Sequence, residues 1–385
     1  MSIKAALIIL FALIALCSTM FILVISIKLA QSRKEKQRGV YLRKIRPILT
    51  SLYAADTINF FRNHMKGIAK LEWPLKNELS LQVLEELLLE SIENEKAETK
   101  IRARTIADEL GLPPRSLALI RSKLDGNIAI GCRKAGLYKY ENAVPDIVKA
   151  LEIFSSTTQL EVLMALSRIG NSEVLAEAFD KINQFILVNE RAINEIVSVF
   201  TGDRHELYKL MLHNKSDYLV RIFLKAIDRE TANSLIGDIT NIYKSGDKET
   251  RLACIVAIGK SENSGKIPML VRALRDTEWE IRAMAAKTLG VLTGPLAITA
   301  LAKAARDREW WVRQNAVTSI LSYPGREEIL SSIIRTGDKY AYDSIVYTLE
   351  KANQMGLLAW IKDTGIKDVW SKEQKRSTIR EKVVS

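Results

Sequence analysis

Residues 267–290, IPMLVRALRDTEWEIRAMAAKTLG, are followed by a second version of themselves at 298–321, ITALAKAARDREWWVRQNAVTSIL. With a shift of 31 residues, Leu301 stands for Leu270, Ala304 for Ala273, Asp307 for Asp276 and Trp310 for Trp279; Val312, Arg313, Ala316 and Ile320 stand for Ile281, Arg282, Ala285 and Leu289. One step back, Arg251, Cys254, Ile258 and Gly259 fill the places of Arg282, Ala285, Leu289 and Gly290. Apolar residues in each copy recur at helical spacing, broken once at the Asp-containing turn, so each copy reads as two short antiparallel helices. Such a hairpin cannot bury its apolar face alone and has to stack on its neighbours.

Fainter copies extend the array. The segment around Tyr218 and Arg221 matches the turn before Arg282, residues 143–151 have the form of a first helix and 162–170 of a second, and Arg102 to Gly111 repeats the run from Arg282 to Gly290. The ends of the second helices fall near 111, 136, 170, 200, 227, 259, 290 and 321, a mean interval of 30 residues. The stripe Leu79, Val83, Leu84, Leu87, Leu88 and Ile92 opens the first repeat. These copies resemble the HEAT repeat, in the compact form shared with phycobilisome lyases. The resemblance covers roughly residues 78–351, about nine repeats, and implies an all-α fold, an α-solenoid of helical hairpins. In that family the residues at Asp276, Arg282, Asp307 and Arg313 tie the turn and link adjacent repeats, which makes them structural. Ala283, Ala285 and Ala286 allow close approach of the next unit, and Gly290 is a natural helix stop.

The remaining chain has a different character. Residues 5–27 carry no charge and are dominated by Leu, Ile, Phe, Ala and Val. As a helix they span about 35 Å, more than the ~30 Å hydrocarbon core. A cleaved signal peptide has a shorter apolar run and a small-residue cleavage site, whereas here the run continues through residues 20–27, and Leu16 is too bulky to precede a lipidated Cys17. The expectation is a single transmembrane helix after a short external N-terminus, residues 1–4. Of the net charge of +12, residues 1–48 carry +8, nine basic side chains against Glu35. Eight of the nine follow the apolar run, which places the C-terminal side in the cytoplasm. Residues 28–77 then read as a basic juxtamembrane segment with a linking helix near 48–64, closed by the step at Trp73 and Pro74. A capping helix and polar tail, 352–385, end the chain.

With two-thirds of the excess charge at one end, the repeats carry only +4, which argues against nucleic acid as a partner. Cys17, Cys132 and Cys254 form no disulfide or zinc pattern. His64, His205 and His213 show no metal-ligand spacing, and phosphate-cradling glycine loops and nucleophile elbows are absent from the sequence. The acidic run Glu85, Glu86, Glu90, Glu93 and Glu95 reads as a solvated helix face. The expectation is therefore no catalytic residue, no cofactor, no metal and no small-molecule substrate. The enzyme alternatives are a phycobilisome-lyase-like or DNA-glycosylase-like activity, the second drawing on Trp310, Trp311, Arg313 and Asp307. Against them stands a scaffold at the membrane that binds a partner protein; the resemblance extends to bacterial membrane-anchored HEAT proteins, some of which accompany membrane glycosyltransferases. Trp279 and Trp310 share a repeat position in the turn, but Trp311 is an indole the repeat does not require, and tryptophan is enriched at binding hot spots. The second helices should form the concave wall, with Lys287, Gln314 and Thr318 facing outward beside Trp311.

Overall fold

The computed structural model describes residues 3–54, 71–152, 156–182 and 190–363, and among these the chain is helical with no strand. It divides into two compact units, Met1–Ile169 and Gly170–Ser385.

In the first unit α1 (Ile3–Ala54) is one unbroken helix that carries the apolar run and the basic segment and continues through Pro47. The sequence reading began a separate linking helix at residue 48. Nothing between 28 and 47 breaks the helix, because Lys, Arg, Gln and Leu are good helix formers and the single interior proline costs one backbone hydrogen bond; residues 55–64 of the expected link lie outside the described residues. From Leu16 to Leu29 the apolar side chains are exposed all round, and by length and composition this helix can cross a membrane. Further on the same helix changes role. Ile45, Leu49 and Leu52, spaced to share one face, are buried against the hairpin of α2 (Glu78–Asn94) and α3 (Ala97–Glu109). Tyr41 and Lys44 lie over Trp73, and Arg102 of α3 donates to the Tyr53 carbonyl oxygen at 2.6 Å.

The acidic run on α2 is not a solvated face. Glu86 receives Arg38 of α1 at 2.6 Å, Glu93 receives Arg133 at 2.8 Å, and Glu85, buried, pairs with Lys134. Arg133 and Lys134 belong to α5 (Asp125–Tyr138), which follows the short α4 (Ser116–Ile120); α6 (Val144–Lys149) and α7 (Ser156–Ile169) complete the unit, with α5 packed along α7.

The second unit runs through α8 (Ser172–Lys181), α9 (Glu190–Ser198), α10 (Arg204–Leu212), α11 (Asp217–Ala226), α12 (Arg229–Ser234), α13 (Ile236–Ser245), α14 (Lys248–Ser261), α15 (Ile267–Ala273), α16 (Trp279–Leu289), α17 (Pro295–Ala304), α18 (Trp310–Ile320), α19 (Arg326–Ile334) and α20 (Lys339–Lys351). Residues 355–363 are again helical; 364–385 lie outside the described residues. Second helices pack on second helices, α14 on α16, α16 on α18 and α18 on α20, and first helices on first, α15 on α17 and α17 on α19. The helices ending at Glu109, Tyr138, Ile169, Ser198, Ala226, Ser261, Leu289 and Ile320 stop within two residues of the ends marked in the sequence. Aspartate, serine and asparagine caps start many of them: Asp203, Ser216, Asp228, Asp247 and Asp338 each accept a hydrogen bond from a backbone N–H of the first turn.

Gly290 has another purpose than the one expected. Its φ is −70°, an ordinary helical value, so no left-handed stop is formed. A Cβ there would come within 2.5 Å of Ser319 Oγ and 3.1 Å of its Cα, so the glycine is a gap for the neighbouring helix. Across that gap α18 and its following turn cap the end of α16: Asn315 Nδ2 donates to the Ala283 carbonyl (3.1 Å), Ser319 Oγ to Ala286 (2.9 Å), Tyr323 OH to Leu289 (2.7 Å) and Ser322 Oγ to Gly290 (3.1 Å). These side chains satisfy carbonyls that a helix end otherwise leaves to water.

Candidate functional site

Arg282 lies buried at the start of α16. Its Nη1 donates to the Asp276 and Thr277 carbonyl oxygens (2.9 and 3.0 Å), closing its own turn, while Nε and Nη2 grip both oxygens of Asp307 in the next hairpin (2.8 and 2.9 Å). Asp307 in turn accepts from the Glu309 N–H at 2.9 Å. Arg313 repeats the inner half with the Asp307 and Arg308 carbonyls, both at 2.9 Å, but its outer partner is Ser344 Oγ at 3.1 Å. Behind Arg282 the ladder continues with Arg251 to Asp276 at 2.5 Å and Arg221 to Asp247 at 3.4 Å, and the first unit contains the same link from Arg121 to Asp146 at 2.9 Å. Asp307 holds the Arg282 guanidinium above its ordinary pKa, and Arg121 holds the Asp146 carboxyl below its own. With each arginine spoken for by a carboxylate or hydroxyl and its own turn, Asp307 and Arg313 are not presented as a catalytic pair.

Trp279 and Trp310 are the first residues of α16 and α18 and not members of the turn itself. Trp310 is 38% exposed and Trp311 is 56% exposed. The two indoles meet edge to face, centroids 4.6 Å apart, and Trp310 meets Tyr347 of α20 in the same way at 5.6 Å. Tyr340, at the start of α20, lies over the Arg313 guanidinium at 5.4 Å and is also exposed. Edge-to-face contact holds these rings in fixed orientations while one side of each stays in water.

Lys287 and Thr318 are exposed, 31 residues apart at the same repeat position. Gln314 is not: it is only 8% exposed, and its Oε1 finds no hydrogen-bond partner. Three residues of helix turn it about 60° from Trp311, out of the stripe that Trp311 and Thr318 share and into the repeat position of the buried Ala283. The structure thus brings Trp311 together with Trp310 and Tyr347, keeps Lys287 and Thr318 on the surface, and removes Gln314. Tyr347 and Tyr340 escaped the sequence reading because their repeat equivalents are Ala316 and Glu309, so no periodicity marks them.

His205 and His213 are exposed, His213 Nε2 lying 3.7 Å from Asp238; His64 is outside the described residues. Among the described residues no three His, Cys, Asp or Glu side chains stand close enough to share a metal. Burial pushes the Cys132 and Cys254 thiols up to about 12, so neither forms a thiolate nucleophile near neutral pH.

Residues 238–321 match the HEAT-repeat family model. This stretch contains the repeats from which the register was read. No curated protein matches the sequence. Among solved structures the chain is similar to an engineered protein (17% identity, 81% of this chain and 98% of that one, TM-score 0.32) and to human deoxyhypusine hydroxylase in complex with glycerol (17%, 64% and 99%, 0.25). It is also similar to the complex of CpcE and CpcF of phycocyanin lyase from Nostoc sp. PCC7120 (15%, 65% and 94%, 0.26). The activities in these names are those proteins' own.

Proposed function

We propose that the chain is a membrane-anchored scaffold: a single-pass protein whose repeats lie in the cytoplasm and hold a partner protein at the bilayer, with a membrane enzyme such as a glycosyltransferase as the expected kind of partner. On this reading residues 5–27 are the anchor, 28–77 the basic link, 78–351 the array and 352–385 its cap and tail, and the chain is not itself an enzyme. The observation that carries the proposal is the ring cluster of Trp310, Trp311 and Tyr347, exposed on second helices that otherwise bury their aromatic and aliphatic side chains. Orientation rests on the eight basic residues that follow the apolar run. Tethering raises the local concentration of a membrane partner, so the contacts on the array need only be individually weak.

The test uses full-length protein in detergent extract. Affinity capture recovers one or a few membrane-associated proteins, and Trp311→Ala reduces that recovery several-fold with no change in helicity or melting temperature. Equal recovery by the variant, or turnover of a bilin or an alkylated base by the purified chain, contradicts the reading.

A further inference from the structure

In the second unit α13, the turn at Ser264–Lys266 and α15 enclose a cleft of about 670 Å³. Six charged side chains line it: Lys244, Arg251, Lys266, Arg272, Arg275 and Asp276. Arg251 and Asp276 neutralise one another at 2.5 Å. The other four are cations, and among the described residues none has a carboxylate within ion-pair distance; Lys244 reaches only Asn241 Oδ1, at 3.4 Å. Tyr243 stands in the same wall, its phenol held protonated by burial and so able to donate.

Basic residues in the last turn of a helix have an ordinary explanation, compensation of its carbonyl end. That covers Arg272 in α15, and also Lys303 in α17, 31 residues on. It does not cover Lys266 on the preceding turn, nor Arg275 beyond the helix. The neighbouring cleft between α17 and α19 makes the contrast: there Arg306, the equivalent of Arg275, faces Asp338 at 3.5 Å. Four uncompensated cations around one cleft repel each other, in a chain whose repeats carry little net charge. An anion that enters removes that repulsion.

We propose that this cleft binds a small ligand carrying at least two phosphoryl groups. Each phosphoryl group brings about −1.5 to −2 charges, so two match four cations where two carboxylates supply half as much. The guanidinium forks of Arg272 and Arg275 suit paired donation to phosphate oxygens, and the volume is that of a small-molecule site. The same chemistry is offered by a soluble phosphate ester and by a polyphosphorylated lipid headgroup. The proposal is independent of the aromatic cluster and of the partner it holds.

The experiment uses full-length protein in phosphatidylcholine nanodiscs. Pyrophosphate is titrated by calorimetry, and in a second arm the melting temperature is compared between these nanodiscs and ones containing phosphatidylinositol bisphosphate. The expected result is saturable binding in at least one arm, weakened about tenfold or more by the double variant Arg272→Gln, Arg275→Gln and unchanged by Lys303→Gln. A soluble ligand shows in the pyrophosphate arm, and a headgroup in the lipid arm alone. Because Lys244 and Lys266 lie on other elements, Lys244→Gln with Lys266→Gln must weaken binding as well, which guards against local misfolding of α15. Absence of binding in both arms, or binding insensitive to both double variants, overturns the proposal.

Discussion

At the scale of single residues the account turns on Arg282. Its five N–H groups are divided between two carbonyls of its own turn and the carboxylate of the next hairpin, a distribution a lysine ammonium cannot reproduce. Arg282→Ala strands a shielded Asp307 and two carbonyls, and the expected cost is about 3 kcal/mol, read as a lowered urea midpoint; Arg282→Lys recovers only part of it. The buried thiols give a pH dependence of definite sign. Cys132 and Cys254 have folded pKa values of about 12 against an ordinary 9.0, because burial penalises the thiolate. The folded chain therefore holds these protons more tightly than the unfolded chain. Their contribution to stability is complete below pH 9 and is lost as the pH rises from 9 toward 12. Native protein at pH 8 should leave both thiols unlabelled by iodoacetamide, and urea should expose them; labelling of either without denaturant contradicts the packing described.

At the scale of elements the seam between α16 and α18 decides how hairpins stack. Gly290→Ala pushes a methyl into Ser319, whose hydroxyl is already held by the Ala286 carbonyl, and the expected cost is about 1–3 kcal/mol. Gly237→Ala, on the open side of α13 with nothing within 4 Å, should instead be neutral or stabilise by about 0.5 kcal/mol. Thermal melts of the two variants compare them directly. This seam also marks the limit of what sequence shows. The 31-residue register, the Asp-to-Arg spacing and the ends of the second helices were legible because hairpin stacking imposes a period on residue types. Gly290 was legible as a helix end, but the reason for it was not, since only the neighbouring helix reveals that a Cβ has no room. Gln314 was misplaced for the same reason: a polar residue in a helix reads as outward until the next hairpin covers it. The acids of α2 were misread because their partners, Arg38, Arg133 and Lys134, lie 40 to 49 residues away and outside any repeat period. Tyr347 joins the ring cluster from a position that carries alanine one repeat earlier.

At the scale of the molecule two properties meet in one chain. Helix α1 exposes its apolar side chains from Leu16 to Leu29, then docks on the first hairpin through Ile45, Leu49 and Leu52 without a break between. A membrane span is thus continuous with the packed core of the first unit and not joined to it by a flexible tether. The second unit carries exposed aromatic rings held in register by their neighbours, and a basic cleft on its first helices. A scaffold uses such surfaces, and an anchor of this kind fixes where they act. The most direct test places a photo-crosslinking amino acid at Trp311, and separately at exposed Lys303, in full-length protein expressed in cells with a reporter fused after Ser385. The account predicts a cytoplasmic reporter and a discrete adduct with one membrane-associated protein from position 311, absent from position 303. An external reporter, or the same adducts from both positions, would contradict it.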